Sequence, residues 1–105
     1  MQDFDVIVVG GGNAGLCAAI EAKEHTNRVL MIERSPAEFR GGNSKYTRDV
    51  RCAHEKPDEY ALGEYSEEEF MEDLLKVTRG ETDGELARLV IRESVLFPDW
   101  MEKQA

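Results

Sequence analysis

The chain has 105 residues, 22 of them acidic and 13 basic, for a formal net charge of −9, and 41% of its residues are hydrophobic. That length allows one small domain with a thin core, and the acidity speaks against nucleic acid as a partner, because phosphate contacts need Lys and Arg. No apolar run approaches the roughly 20 residues of a membrane-spanning helix.

Phe4-Asp5-Val6-Ile7-Val8-Val9 is a β-branched run that stops at three glycines. Without alternation it suits a central parallel strand buried on both faces. Nothing basic precedes it, which argues against a secretory signal and makes the cytoplasm the default. Ala14 to His25 reads as a helix, with Leu16, Ala19, Ile20 and Lys23 marking its turns and Cys17 a small buried hydrophobe. Thr26-Asn27 breaks it, and Arg28-Val29-Leu30-Met31-Ile32-Glu33 is a second strand ending on an acid. Strand, helix and strand within about 30 residues fit one right-handed crossover.

Ser35 to Pro57 has little periodicity and reads as a long functional loop, with specific turn chemistry at Gly41-Gly42-Asn43-Ser44. Beyond it the charge changes: residues 1–54 carry 7 acids and 7 bases, whereas residues 55–105 carry 15 acids and 6 bases. This acidic half reads as helical. Ser66-Glu67-Glu68-Glu69 is a capping box, followed by Phe70, Met71, Leu74, Leu75 and Val77, with Gly80 as the stop. A second box, Thr82-Asp83-Gly84-Glu85, opens a helix that sets Leu86, Leu89, Val90 and Phe97 on one side. Pro98 interrupts it, and Asp99-Trp100-Met101-Glu102 starts a third. The acids serve as caps and solvated faces. Cys17 and Cys52 lie far apart, and with only His25 and His54 beside them they form no metal constellation.

Gly10-Gly11-Gly12-Asn13-Ala14-Gly15 satisfies the pattern GxGxxG at Gly10, Gly12 and Gly15. Gly10 permits the tight turn off the strand, Gly12 lets the backbone approach a pyrophosphate, and Gly15 lets helix and strand pack closely. Phosphate then meets the open amides and the positive end of the helix at Asn13 and Ala14. Such a motif is weak alone. Here it follows a strand, opens a helix and is answered 23 positions after Gly10 by Glu33, close to the spacing a ribose contact requires. A carboxylate there accepts from both ribose hydroxyls and repels a 2′-phosphate, which disfavours NADP. The motif's place near the N-terminus favours a resident FAD over NAD.

Glu33-Arg34-Ser35-Pro36, followed by Gly41-Gly42-Asn43-Ser44, resembles the flavoprotein subunits of the fumarate reductase and succinate dehydrogenase family. Within it, Asp5 to Arg51 is most similar to the FAD-dependent tricarballylate dehydrogenases, through Gly41-Gly42-Asn43-Ser44-Lys45-Tyr46-Thr47-Arg48. The resemblance implies that Arg34 lies near the adenosine end, and that Gly42, Asn43 and Ser44 run beside the pyrophosphate or flavin. It implies non-covalent FAD, because Asn43 stands where succinate dehydrogenases place their flavin-linking His. Thr47-Arg48-Asp49-Val50 replaces a small Ala/Gly-rich segment, which favours a polycarboxylate substrate other than fumarate. Arg48 and Arg51 either steer such an anion or are loop cations facing solvent. The resemblance also leaves room for an electron-acceptor protein as a partner.

The expected fold class is α/β: a Rossmann-like FAD-binding βαβ unit with its flavin loop (1–54), then an acidic helical segment of the same domain (55–105). Two strands make an incomplete doubly wound domain. The chain therefore reads as the N-terminal portion of a flavin-dependent dehydrogenase or reductase whose catalytic residues come later, so none is assigned here. The alternatives are a free-standing NAD or nucleotide-binding module without chemistry, and an inactive truncated fragment.

Overall fold

β-Branched side chains favour extended backbone, and Val6–Val9 forms β1, paired in parallel with β2 (Val29–Ile32) from Val6 opposite Val29 to Val9 opposite Ile32. The computed structural model describes residues 2–59 and 61–105. Their contacts divide into two compact units, one up to Asp49 and the other from Val50 on.

In the first unit, helix α1 (Asn13–Lys23) crosses between the strands and packs on both. It ends two residues before His25, and the amides of Glu24, His25 and Thr26 still bond back to Glu21 or Ala22. The face turned to the sheet is made of small residues: Gly15, Ala19 and Ala22 are half-buried, as is Cys17, whereas Leu16 and Ile20 are exposed. A helix lying close on a sheet has room only for small side chains at the line of contact, and the small residues of this helix supply them. The strand departs from its expected burial. Val6 and Val8 lie under α1 and are half-buried, but Ile7 is 57% exposed and Val9 80%. Burial on both faces needs cover on both faces, and here one helix covers one face.

The strand entrances are clipped together by charge. Arg28 forms an ion pair with Asp5, its Nε donating at 3.0 Å, and the Thr26 hydroxyl donates to the same carboxylate. The Arg28 guanidinium, with Thr26 behind it, holds the Asp5 carboxyl below its ordinary value.

The second unit starts with an antiparallel bridge, His54 opposite Tyr65, with both backbone hydrogen bonds at 2.8 Å. Helix α2 (Glu67–Thr78) begins with the expected capping box: Ser66 accepts from the Glu69 amide at 3.1 Å and Glu69 from the Ser66 amide at 3.2 Å. Phe70, Met71 and Leu74 are half-buried, while Leu75 and Val77 face solvent. At its end Arg79 (φ 55°) and the expected Gly80 (φ 80°) are both left-handed, and the Gly80 amide reaches back to Leu75 at 2.9 Å. Helix α3 (Gly84–Ser94) is capped by Asp83, which accepts from Leu86 at 3.0 Å, and not by Thr82 as the expected box had it. Asp83 is one residue nearer the helix and has a carboxylate in place of a hydroxyl. Its buried side is Ala87 and Ile91, not the expected line of Leu86, Leu89 and Val90, each of which is exposed. Ser94 completes the inward line, its hydroxyl accepting from the buried Ala53 amide at 2.9 Å and donating to the Ile91 carbonyl at 2.6 Å. Helix α4 (Phe97–Gln104) follows, with Pro98 in its first turn, where a missing amide costs nothing.

Candidate functional site

The site grows from the end of β1. The Gly10 amide continues the ladder by donating to the Ile32 carbonyl at 2.8 Å, and Gly10 itself takes φ 107°, which only glycine adopts without strain. The chain thereby leaves the sheet and turns into α1. Gly15 is required for a different reason. A Cβ there would stand 1.9 Å from the Gly10 carbonyl oxygen, so the helix can approach the turn this closely only without a side chain.

Glu33 leaves the end of β2 and reaches that turn. One carboxylate oxygen accepts from the Gly11 amide at 2.7 Å and the other from the Ser35 amide at 2.7 Å. These amides, Ser35 first and then Gly11, hold the carboxyl below its ordinary value, and the Arg34 amide adds to them. The acid is therefore ionised and oriented at neutral pH, with lone pairs left for further donors.

The third component comes from the loop after β2. Gly41 at φ 106° and Gly42 at φ 54° turn the chain into a 3-10 turn, Gly42–Tyr46. Ser44 Oγ accepts from the Asn13 amide at 3.0 Å. Lys45 braces the turn, donating to the Glu38 carbonyl at 3.1 Å and lying within 6 Å of the Phe39 and Tyr46 ring centres.

Gly10, Gly12, Asn13, Gly15, Glu33 and Ser44 thus meet at one place, and Ala14 lies in the first turn of α1 beside them. The side chains of Arg34 and Asn43 are exposed and make no hydrogen bond to the loop among the described residues. Arg48 is exposed as well. Arg51 is an exposed cation with partners of its own. Its guanidinium donates to the Tyr65 hydroxyl at 3.0 Å, lies over the Tyr65 and Phe70 rings, and reaches Asp73 at 3.4 Å. Sequence reasoning missed Gly11 and Ser35, because both act through backbone amides that every residue except proline carries.

An open glycine turn, amides at a helix start and an ionised acid beside them suit a dinucleotide: the first two for its pyrophosphate, the acid for its adenosine ribose. The family described as FAD binding domain matches residues 5–105. A probable fumarate reductase of Shewanella frigidimarina is 33% identical over 96% of the chain, which covers 17% of that protein. A 3-oxo-5-alpha-steroid 4-dehydrogenase of Comamonas testosteroni is 36% identical over 95% of the chain and 18% of its own length. A digoxin reductase of Eggerthella lenta is 31% identical over 94% of the chain and 18% of its own length. The chain thus spans less than a fifth of each of these relatives. No solved structure matches it significantly. Among the described residues, no helix is long and apolar enough to cross a membrane.

Proposed function

The chain belongs to the FAD binding domain family, and its cofactor is FAD; on that footing we propose that it is the nucleotide-holding portion of a flavin-dependent oxidoreductase acting on a carbon–carbon bond of a di- or tricarboxylate. In this reading Gly10, Gly12, Gly15 and the Ala14 amide take the pyrophosphate, Asn13 stands beside it with its own amide given to Ser44 Oγ, and Glu33 takes the ribose hydroxyls. Arg34 stands toward the adenosine end, and Gly42, Asn43 and Ser44 stand beside the pyrophosphate or flavin. FAD is held without a covalent bond, since Asn43 offers no imidazole for one. When bound, the flavin ring supplies the hydride chemistry. This chain's own residues bind and orient it.

The observation that carries the reading is the 2.7 Å bond from the Gly11 amide to Glu33, which brings the glycine turn and the acid ending β2 together. The run Gly41 to Arg48 resembles the tricarballylate dehydrogenases, for which the reaction is tricarballylate to cis-aconitate, and a fumarate reductase is among the relatives. Relatives named for steroid and digoxin chemistry match over the same stretch. An electron-acceptor protein is the further partner this reading calls for. The residues that perform the chemistry are not among those assigned here, so the chain by itself is expected to bind and not to turn over.

The test is flavin uptake. The chain mixed with FAD and desalted should keep a yellow band at about 450 nm. Gly12→Val, checked for its helix content by circular dichroism, should lose it, because a side chain there projects toward the Gly41 carbonyl and Ser44 Oγ, each 3.4 Å from the Cβ position. A folded Gly12→Val chain that keeps the band counts against the loop assignment.

A further inference from the structure

The pattern GxGxxG accounts for Gly10, Gly12 and Gly15 and leaves the position between the first two open. This chain has a glycine there as well, Gly11. Its backbone does not ask for one, because Gly10 is left-handed and Gly11 is not. What a side chain there would meet is Glu33. A Cβ on Gly11 would stand 3.0 Å from Glu33 Oε2, 3.5 Å from the Glu33 Cβ and 3.6 Å from its Cγ. The same Oε2 accepts from the Gly11 amide at 2.7 Å, while Oε1 accepts from the Ser35 amide. The acid therefore lies against the loop in space that a side chain at position 11 would fill.

We infer that Gly11 is a positioning residue: its missing side chain seats the Glu33 carboxylate on the loop, and that seat sets the preference of the site for ribose over 2′-deoxyribose. This inference rests on the FAD reading above and deepens it. A free glutamate side chain gives up rotamer freedom when a ligand fixes it. One already tied by two amides has little left to give up, so its remaining lone pairs meet ribose hydroxyls at lower cost. A methyl group at position 11 presses only on the far end of a flexible side chain, which can give by a small displacement. A β-branched side chain puts two more heavy atoms on that Cβ, and it moves the carboxylate off the Gly11 amide. Ribose then meets an acid with one anchor in place of two.

The experiment measures binding of ADP and 2′-deoxy-ADP to the full chain and to Gly11→Ala, Gly11→Val, Glu33→Ala and the Gly11→Val, Glu33→Ala double variant. The parent should prefer ADP about tenfold, the scale of one hydrogen bond to a charged group. Gly11→Val should weaken ADP about fivefold and 2′-deoxy-ADP less than about twofold, so that the preference collapses. Gly11→Ala should keep most of it. On Glu33→Ala, which has no carboxylate to displace, Gly11→Val should weaken ADP by less than about twofold. Without nucleotide, the Glu33 carboxyl followed by carbon-13 NMR should titrate higher in Gly11→Val than in the parent, because an amide donor to its charged form is lost. Gly11→Ala should fall between them, and it carries this readout alone if Gly11→Val does not fold. A Gly11→Val chain with the parent's sugar preference overturns the inference. So does a Glu33 titration unmoved in both variants, or a loss of ADP as large on Glu33→Ala as on the parent. A parent chain that binds the two nucleotides equally, or neither of them, overturns the ribose role given to Glu33 above and this inference with it.

Discussion

Glu33 is where pH enters the site. Its carboxyl sits below the ordinary value of 4.5 because two backbone amides, Ser35 and Gly11, donate to its charged form. A lowered folded pKa means that the unfolded chain binds protons first on acidification. The stabilisation is therefore complete above about pH 4.5 and is lost as pH falls below it, through the lowered value. Asp5, held down by Arg28, and Asp73, held down chiefly by the Tyr65 hydroxyl, act in the same direction. Glu33→Gln should be less stable than the parent at neutral pH and lose less on acidification from pH 6 to pH 3. Urea melts across that range decide it, and an acid limb as steep as the parent's would sink the idea. That Glu33 belongs to the site was legible from its spacing after Gly10. Which amides orient it was not, because Gly11 and Ser35 contribute nothing but backbone.

At the scale of elements, the caps were legible where a side chain makes them, and the faces were legible only as periods. Ser66 with Glu69 is a local reciprocal pair that needs no tertiary partner, and it forms as its spacing implies. The face of α3 is another matter. Leu86, Leu89 and Val90 make one helical line and Ala87 and Ile91 the adjacent one, and the larger residues suggest the first. Packing against α2 selects the second, where small Ala87 permits close approach. The end of α2 carries a correctable misfit. Arg79 holds φ 55° where glycine usually sits, at a cost of about 1–2 kcal/mol for an L-residue. Glycine would return part of that gain through the freedom of its unfolded chain. Arg79→Gly should therefore raise stability by about 0.5–1 kcal/mol, read as a higher urea midpoint at unchanged slope. A lower midpoint would show that the Arg79 side chain contributes more than its backbone costs.

Over the whole molecule, the balance of apolar surface is unusual. Among the described residues only Ala53, Ala87 and Ile91 are buried hydrophobics, and all three lie in the second unit. In the first unit, Ile7, Val9 and Ile32 are exposed on a parallel strand pair, a kind of sheet normally covered on both faces. Apolar strands left open in this way pair with other chains. The chain in isolation should associate as its concentration rises, despite a net charge of −9, and Val9→Lys should shift it toward the 11.9 kDa monomer in sedimentation velocity. A parent chain that stays monomeric throughout would show that this surface is tolerated in water.

The sequence by itself determined the glycine turn after β1, the acid that ends β2, the strand–helix–strand order and the Ser66 cap. The turn, the elements and the cap depend on a residue's own conformational range or on partners a few positions away, and the acid is marked by its spacing after Gly10. Only the tertiary structure decided that Glu33 is gripped by Gly11 and Ser35, that Ser44 caps α1 in place of a local residue, that Arg51 is committed to Tyr65 and Asp73, and which face of α3 turns inward. Backbone donors carry no side-chain signature, and a helical period is met equally well by neighbouring faces. Such choices are made by whatever packs against them.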